Sequence, residues 1–422
     1  MFKLLFDTKN KNFLRLWLAQ LISQFGDRIN QLALVGLVAE RAGGSALELA
    51  KLISFTILPV FFIQPLAGVW VDRWDRRRTL FVCDIFRGLL VLTIPFIFIH
   101  RESMIPIYGI VFFAFCFSRF YVPAKMSIIP DLVPKENLLM ANSLVTTTGM
   151  IAFVLGCALG GFLIDKFGAR TGFIIDAATF FVSALFVSSI NLPIRLKFNK
   201  DKILQAGKEI VGTIKQSFWG EAKEGMLYLT THREIRFIIN TLFILLSAAG
   251  AVYVVLIVFI QQSFQSVTKD LGILAVCLGV GLFLGAIGYG RWGKKWVWYK
   301  TIFFCLILGG LTLIVFSWMV YRYPNIAVAM GLAFSLGLIL GPIFIASYTM
   351  VHLASEESMR GKVFSALEIV MHSAFLIAML LSSWVSGFVP RVWILIAVGA
   401  LFTCLGFLGL YKIKKGSLAL MR

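Results

Sequence analysis

Apolar runs of about 20 residues or more recur along this chain, separated by short polar stretches. Twelve can be read, at about 14–38, 47–71, 79–99, 105–123, 138–164, 171–191, 236–261, 271–290, 301–320, 325–351, 361–388 and 392–411. A helix rises about 1.5 Å per residue, so roughly 20 apolar residues cross the ~30 Å hydrocarbon layer of a bilayer. The runs are continuous, unlike the alternating ~10-residue strands of a membrane β-barrel. The pattern predicts an all-α polytopic membrane protein of twelve transmembrane helices.

One long polar segment, about 192–235, divides the runs six and six. The expected organisation is a six-helix bundle over 1–191, a linker over 192–235 and a second bundle over 236–422. Within the linker Ile203, Ala206, Ile210, Ile214 and Phe218 recur at helical spacing, with Lys208, Glu209 and Lys215 between them. This reads either as an amphipathic helix on the inner membrane surface or as one packed on the ends of the bundle. The halves echo each other about 220 residues apart: Arg15 with Arg236, Gly68 with Gly288, Glu136 with Glu357. A duplicated bundle with pseudo-two-fold symmetry follows as an expectation.

Composition sharpens this picture. Charged residues make up 14% of the chain, against about 25% in soluble domains. The net charge of +19 does not imply nucleic-acid binding, because the basic residues gather in alternate loops. With the N-terminus placed in the cytoplasm, 29 Lys and Arg fall on the cytoplasmic side, 8 on the opposite side and 3 within the spans. That bias predicts a multi-pass protein of the cell (inner) membrane with both termini cytoplasmic. The first apolar run is too long for a secretory signal and lacks a small-residue cleavage site. All six cysteines lie in apolar runs without metal-ligand or disulfide spacing, so no metal or cofactor is expected. No Gly-x-x-x-x-Gly-Lys-Ser/Thr loop occurs, and no extramembrane segment is long enough for an ATPase. An enzyme or a nucleotide-driven pump is not expected.

The loop between the second and third runs reads Gly68-Val-Trp-Val-Asp72-Arg73-Trp-Asp75-Arg76-Arg77-Arg78, followed by Asp84 and Arg87. Gly68 lets a neighbouring helix approach. Asp72 could cap a facing helix N-terminus, for which the eleventh span is the natural candidate. The arginines could pair with Asp72, Asp75 or Asp84, giving a latch of Gly68, Asp72, Arg73, Arg76, Asp84 and Arg87. For Arg77 and Arg78 a plain anchoring role is the simpler reading. Twelve spans, a basic middle loop and this charged loop resemble the major facilitator superfamily, whose motif runs Gly-x-Leu-Ala-Asp-Arg-x-Gly-Arg-Lys. Asp75 stands here in place of the motif's second glycine. The Asp-Arg-Trp-Asp-Arg-Arg variant is similar to the macrolide-efflux and enterobactin-exporter-like subgroup. So are Pro130–Glu136, Ala141-Asn142-Ser143, Glu224-Gly225 with Tyr228, and Arg360-Gly361. Gly149, Gly156, Gly160 and Gly161 resemble the superfamily's antiporter motif, with Cys157 where that motif has proline.

Ionisable groups inside spans are costly and mark functional candidates. Gln20, Gln24, Asp27 and Gln31 form one polar stripe on the first span, which the resemblance places on a central cavity. Asp27 is a candidate to couple proton entry to substrate release, or else to form a salt bridge with Arg28 or an arginine of another span. Arg119 could attract anionic groups, pair with Asp27 or snorkel to the inner interface. Glu368 and His372, four apart, could form a titrating pair, a metal site or a packed polar contact. Asp165 and Asp176 are expected to face headgroups or neighbouring helices. The tenth span offers Ser335, Ser347, Tyr348, Thr349 and His352 around a Gly341-Pro342 break, and some of the 40 phenylalanines suit a greasy pocket.

The expectation is a monomeric secondary transporter, exporting a hydrophobic or amphiphilic small molecule by alternating access against protons. The export direction comes from the resemblance. The alternatives are a ferroportin-like divalent metal exporter, suggested by Gly26-Asp27-Arg28, a lysolipid flippase, and a membrane sensor that moves nothing.

Overall fold

A computed structural model describes residues 11–71, 74–100, 103–191, 233–293, 297–354 and 360–414. The linker helix expected over 203–218, and Glu224 to Tyr228, lie outside these residues. The described chain is all helical. In order come α1 (Lys11–Arg41), α2 (Ala46–Ile57), α3 (Pro59–Phe62), α4 (Gln64–Val71), α5 (Arg76–His100), α6 (Ile105–Leu132), α7 (Leu138–Phe167) and α8 (Ala169–Ser188). Then follow α9 (Arg233–Phe264), α10 (Lys269–Trp292), α11 (Trp298–Arg322), α12 (Ile326–Ala354), α13 (Arg360–Val385) and α14 (Arg391–Lys414).

Among the described residues, ten helices are long and apolar enough to cross a membrane, rather than the twelve expected. Two runs fall short for physical reasons. The 31 residues of α1 include Asn12, Arg15, Gln20, Gln24, Asp27, Arg28, Asn30 and Gln31, which dilute its apolar character. The second run breaks into α2, α3 and α4, with Pro59 opening α3 and Pro65 near the start of α4. Proline lacks the N–H that an unbroken helix would use there.

The helices form two compact units. In the first, α8 packs on α1 and α5, α5 on α6, α1 on α7, and α4 on α6. In the second, α10 packs on α12, α11 on α14 and α12, and α9 on α13 and α14. Each unit has its own apolar core. Phe13, Leu16, Leu80 and Ile128 anchor the first, and Ile302, Ile343, Ala346 and Leu367 the second.

Candidate functional site

The site is built on α1 and α8, which run antiparallel and are tied at both ends. At one end Asn12 Nδ2 donates to the Asn191 carbonyl at 2.7 Å, Asn191 N–H returns to Asn12 Oδ1 at 3.1 Å, and Arg15 bonds the Ser189 carbonyl. At the other end Glu40 Oε1 accepts from the Ala169 N–H at 3.1 Å, satisfying a donor at the start of α8. Midway, Gly26 brings the helices together: a Cβ there would lie 2.5 Å from Asp176 Oδ1 and run into Thr179. On the other flank α7 meets α1 through Gly149 beside Gln24, Gly156 against Arg28 and Gly160 against Ile29. The stripe that resembles an antiporter motif therefore seats α1. Trp17 Nε1 to Thr148 Oγ1 (2.7 Å) and Gln20 Nε2 to the Val145 carbonyl (3.1 Å) fix the same contact.

Four charged side chains are buried where these helices meet α5 and α6: Asp84, Arg87, Lys125 and Asp176. Arg87 is the hub. Its Nη2 is 2.6 Å from Asp27 Oδ1 and its Nη1 is 3.5 Å from Asp84 Oδ1. Its guanidinium lies 3.9 Å from the Phe180 ring centroid and 5.3 Å from that of Tyr121. Asp84 Oδ2 accepts from Ser183 Oγ at 2.6 Å. The Arg87 side chain is 5% exposed and that of Asp84 fully buried, whereas Asp27 is 36% exposed. A sealed ionic cluster thus ends in one carboxylate that solvent or solute can reach. Asp27 takes the arginine of another span, α5, as its partner; neighbouring Arg28 instead donates to Gln31 Oε1 at 2.9 Å.

The charged loop is organised differently from the pairing expected of it. Asp75 caps α5, its Oδ1 accepting from the Arg78 N–H at 2.7 Å, so it serves the helix end rather than an arginine side chain. Arg76 pairs with Asp131 at the end of α6 (2.6 Å), and Arg77 donates to the Ile190 carbonyl (2.7 Å). Asp84 and Arg87, grouped with this loop by sequence, lie about 12 and 17 Å along α5 from its start, inside the ionic cluster. Asp72 and Arg73 lie outside the described residues. Gly68 falls within α4, and its surroundings lie outside the described residues.

Comparison with known proteins bears on what such a bundle does. The sequence model of the Major Facilitator Superfamily matches residues 16–222. BacE of Bacillus subtilis, named for bacilysin export, is 25% identical over 358 residues, which is 82% of each chain. The multidrug efflux pump Tap of Mycobacterium tuberculosis is 24% identical over 373 residues, 86% of this chain and 84% of Tap. These matches support a transporter of the major facilitator superfamily. A bacterial homologue of the iron transporter ferroportin, crystallised inward-facing, has the same fold, with a TM-score of 0.70 at 14% identity over 94% of this chain and 98% of that one.

The remaining candidates of this superfamily transporter are scattered. Gln24 and Gln31 share α1 with Asp27, Gln24 half-buried and Gln31 exposed, while Gln20 is buried against α7. Arg119 is half-buried on α6. In the second unit His372 Nδ1 is 2.8 Å from the Glu368 backbone carbonyl, so the ring engages the main chain rather than the carboxylate. Ser335 bonds the Gly331 carbonyl of its own helix. Tyr348, Thr349 and His352 lie on α12 where side chains fall outside the described residues. Sequence reasoning missed Lys125, which it counted with the cytoplasmic loops; of the two placements expected for Asp176, headgroups or neighbouring helices, the structure has the second. Both sit inside long helices of the first unit, which was the signal available.

Proposed function

We propose that this transporter is an exporter of a hydrophobic or amphiphilic small molecule, driven by proton entry through alternating access. The half-open carboxylate of Asp27, closing an otherwise sealed ionic cluster, is the observation that supports coupling. Protonating Asp27 removes the charge that Arg87 answers at 2.6 Å. The guanidinium then leans on Asp84, already 3.5 Å away, and the contact between α1 and α5 loosens. A proton is thereby converted into a change in how two helices are held. Export is supported by the names of BacE and Tap. On this reading the chain has twelve spans in two six-helix halves, α1 and the broken α2–α4 segment being the first two. The positive-inside bias supports a place in the cell inner membrane with both termini cytoplasmic. Gln24, Gln31 and Arg119 join Asp27 as candidates along the path, and Glu368 and His372 are candidates for substrate contact. Gly68, Asp72, Arg73 and Arg76 are proposed to form the loop latch, with a monomer as the working unit.

The test is reconstitution in proteoliposomes with a pH-reporting dye inside, an imposed proton gradient, and a screen of amphiphilic drugs, siderophores and divalent metals. Substrate-dependent proton flux that vanishes in Asp27→Asn is the expected result. Substrate flux without protons, unchanged in that variant, overturns the coupling.

A further inference from the structure

The cluster around Arg87 contains more acid than base. Among the described residues, Asp27, Asp84 and Asp176 share Arg87 as their cation, and Lys125 adds its charge near Asp27. If all five were ionised, a region from which water is largely excluded would hold an unbalanced negative charge, which is costly unless one group is neutral. The three carboxyls are not equally supported. Asp84 has Ser183 at 2.6 Å on one oxygen and Arg87 at 3.5 Å on the other. Asp27 has Arg87 at 2.6 Å and is partly open. Asp176 is fully buried, has the Thr179 hydroxyl at 3.4 Å on Oδ1 and the Asn30 side chain beside it, and has no hydrogen-bond partner on Oδ2 among the described residues.

We propose that Asp176 is held as the neutral acid in this state and is a second exchangeable proton site, sealed behind Asp27. The inference rests on the proton-coupled reading above and extends it. The transfer balances within the cluster. The O–H bond of Asp176 breaks, the proton passes to the carboxylate of Asp27, and the Asp176 carboxylate takes over the Arg87 guanidinium that Asp27 gives up. The net charge of the buried region stays constant while the ion pair moves from α1–α5 to α8–α5. Gly26 makes this feasible, because it seats the residue before Asp27 directly on the Asp176 carboxyl. The groups facing Asp176 from the packed helices are Asp27 and Asn30 on α1 and Arg87 on α5, while Asp84 and Tyr121 lie around Arg87 and Lys125 near Asp27 and Arg87. α7 meets α8 at Ile164 against Gly172, and its Asp165 and Lys166 are exposed.

Infrared difference spectroscopy of the full chain, in vesicles of phosphatidylethanolamine and phosphatidylglycerol, tests this without any substrate. At neutral pH the wild type should show the carbonyl stretch of a protonated carboxylic acid in a site slow to exchange with deuterium oxide. The band should vanish in Asp176→Asn and return at a shifted frequency in Asp176→Glu. The Glu variant guards against a misfolded Asn variant. No such band in the wild type, or one unchanged in a folded Asp176→Asn, overturns the proposal. If the band behaves as expected but Asp27→Asn leaves proton-driven flux intact, the sealed acid stands and the coupling role of Asp27 falls.

Discussion

Arg87 is the side chain on which the first unit most depends. Asp84 and Phe180 surround it in the interior, and a lone buried charge costs far more than a paired one. Arg87→Leu leaves Asp84 buried with only Ser183 and should cost about 3–5 kcal/mol, the range for breaking a buried pair. Asp27→Asn should cost far less, because Asp27 is partly open and Arg87 keeps Asp84. The check is the thermal unfolding midpoint of each variant in detergent: a large drop for Arg87→Leu, a small one for Asp27→Asn. Equal drops would mean that the α1–α5 pair, and not the inner one, holds the bundle. Asp27 itself was legible in the sequence, since a carboxylate in an apolar run stands out. Its partner was not, because Asp27 and Arg87 are 60 positions apart and meet only through packing. Lys125 escaped notice for a related reason: it follows Pro123 near a span end, where a lysine normally reaches for water, yet it is buried.

At the scale of elements, glycine decides which helices touch. In the second unit Gly281 and Gly285 of α10 lie against the backbone of α12 at Phe334 and Leu338, while Gly337 and Gly341 of α12 lie against α10 at Leu278 and Leu282. A Cβ at any of the four would strike a backbone carbonyl, an atom that cannot swing aside. Without water to drive helices together inside a membrane, such close backbone contact is a main source of association. Gly337→Ala should therefore destabilise the protein by about 1–3 kcal/mol, as overpacking does. Gly331→Ala, on the same helix with open space around it, should be neutral or slightly stabilising. Thermal scans of the pair give the comparison, and equal behaviour would show that α10 and α12 do not meet at this register. Hydropathy located the helices well, but it could not separate Gly331 from Gly337. The break of the second run at Pro59 was likewise present in the residues yet invisible to a count of apolar positions, which scores proline only as another non-charged residue.

At the scale of the molecule, the two units share a neighbour pattern but not an interior. The pairs α1–α7, α4–α6, α5–α6 and α5–α8 of the first have counterparts in α9–α13, α10–α12, α11–α12 and α11–α14 of the second, as a duplicated bundle would give. Buried Asp84, Arg87, Lys125 and Asp176 belong to the first unit. Among the described residues, the buried polar side chains of the second are hydroxyls: Thr268, Thr301, Ser317, Ser347, Ser382 and Ser383. A hydroxyl can bond a carbonyl of its own helix, as Ser317 does to Leu313 and Ser382 to Met379, and such a bond does not depend on a neighbouring helix. A buried ion pair has no such fallback, and its energy depends on the proton count of its partners. On the proposed proton-coupled reading, the response to charge therefore belongs to the first unit. It follows that the pH dependence of transport should survive changes in the second half. Glu368→Gln and His372→Gln are expected to alter the substrate concentration at half-maximal rate at most. Asp27→Asn should flatten the pH profile at unchanged affinity. Transport rates of the three variants across pH, each against wild type, make the comparison. A flattened profile in Glu368→Gln would place a coupling group in the second unit and remove the division of labour argued from burial.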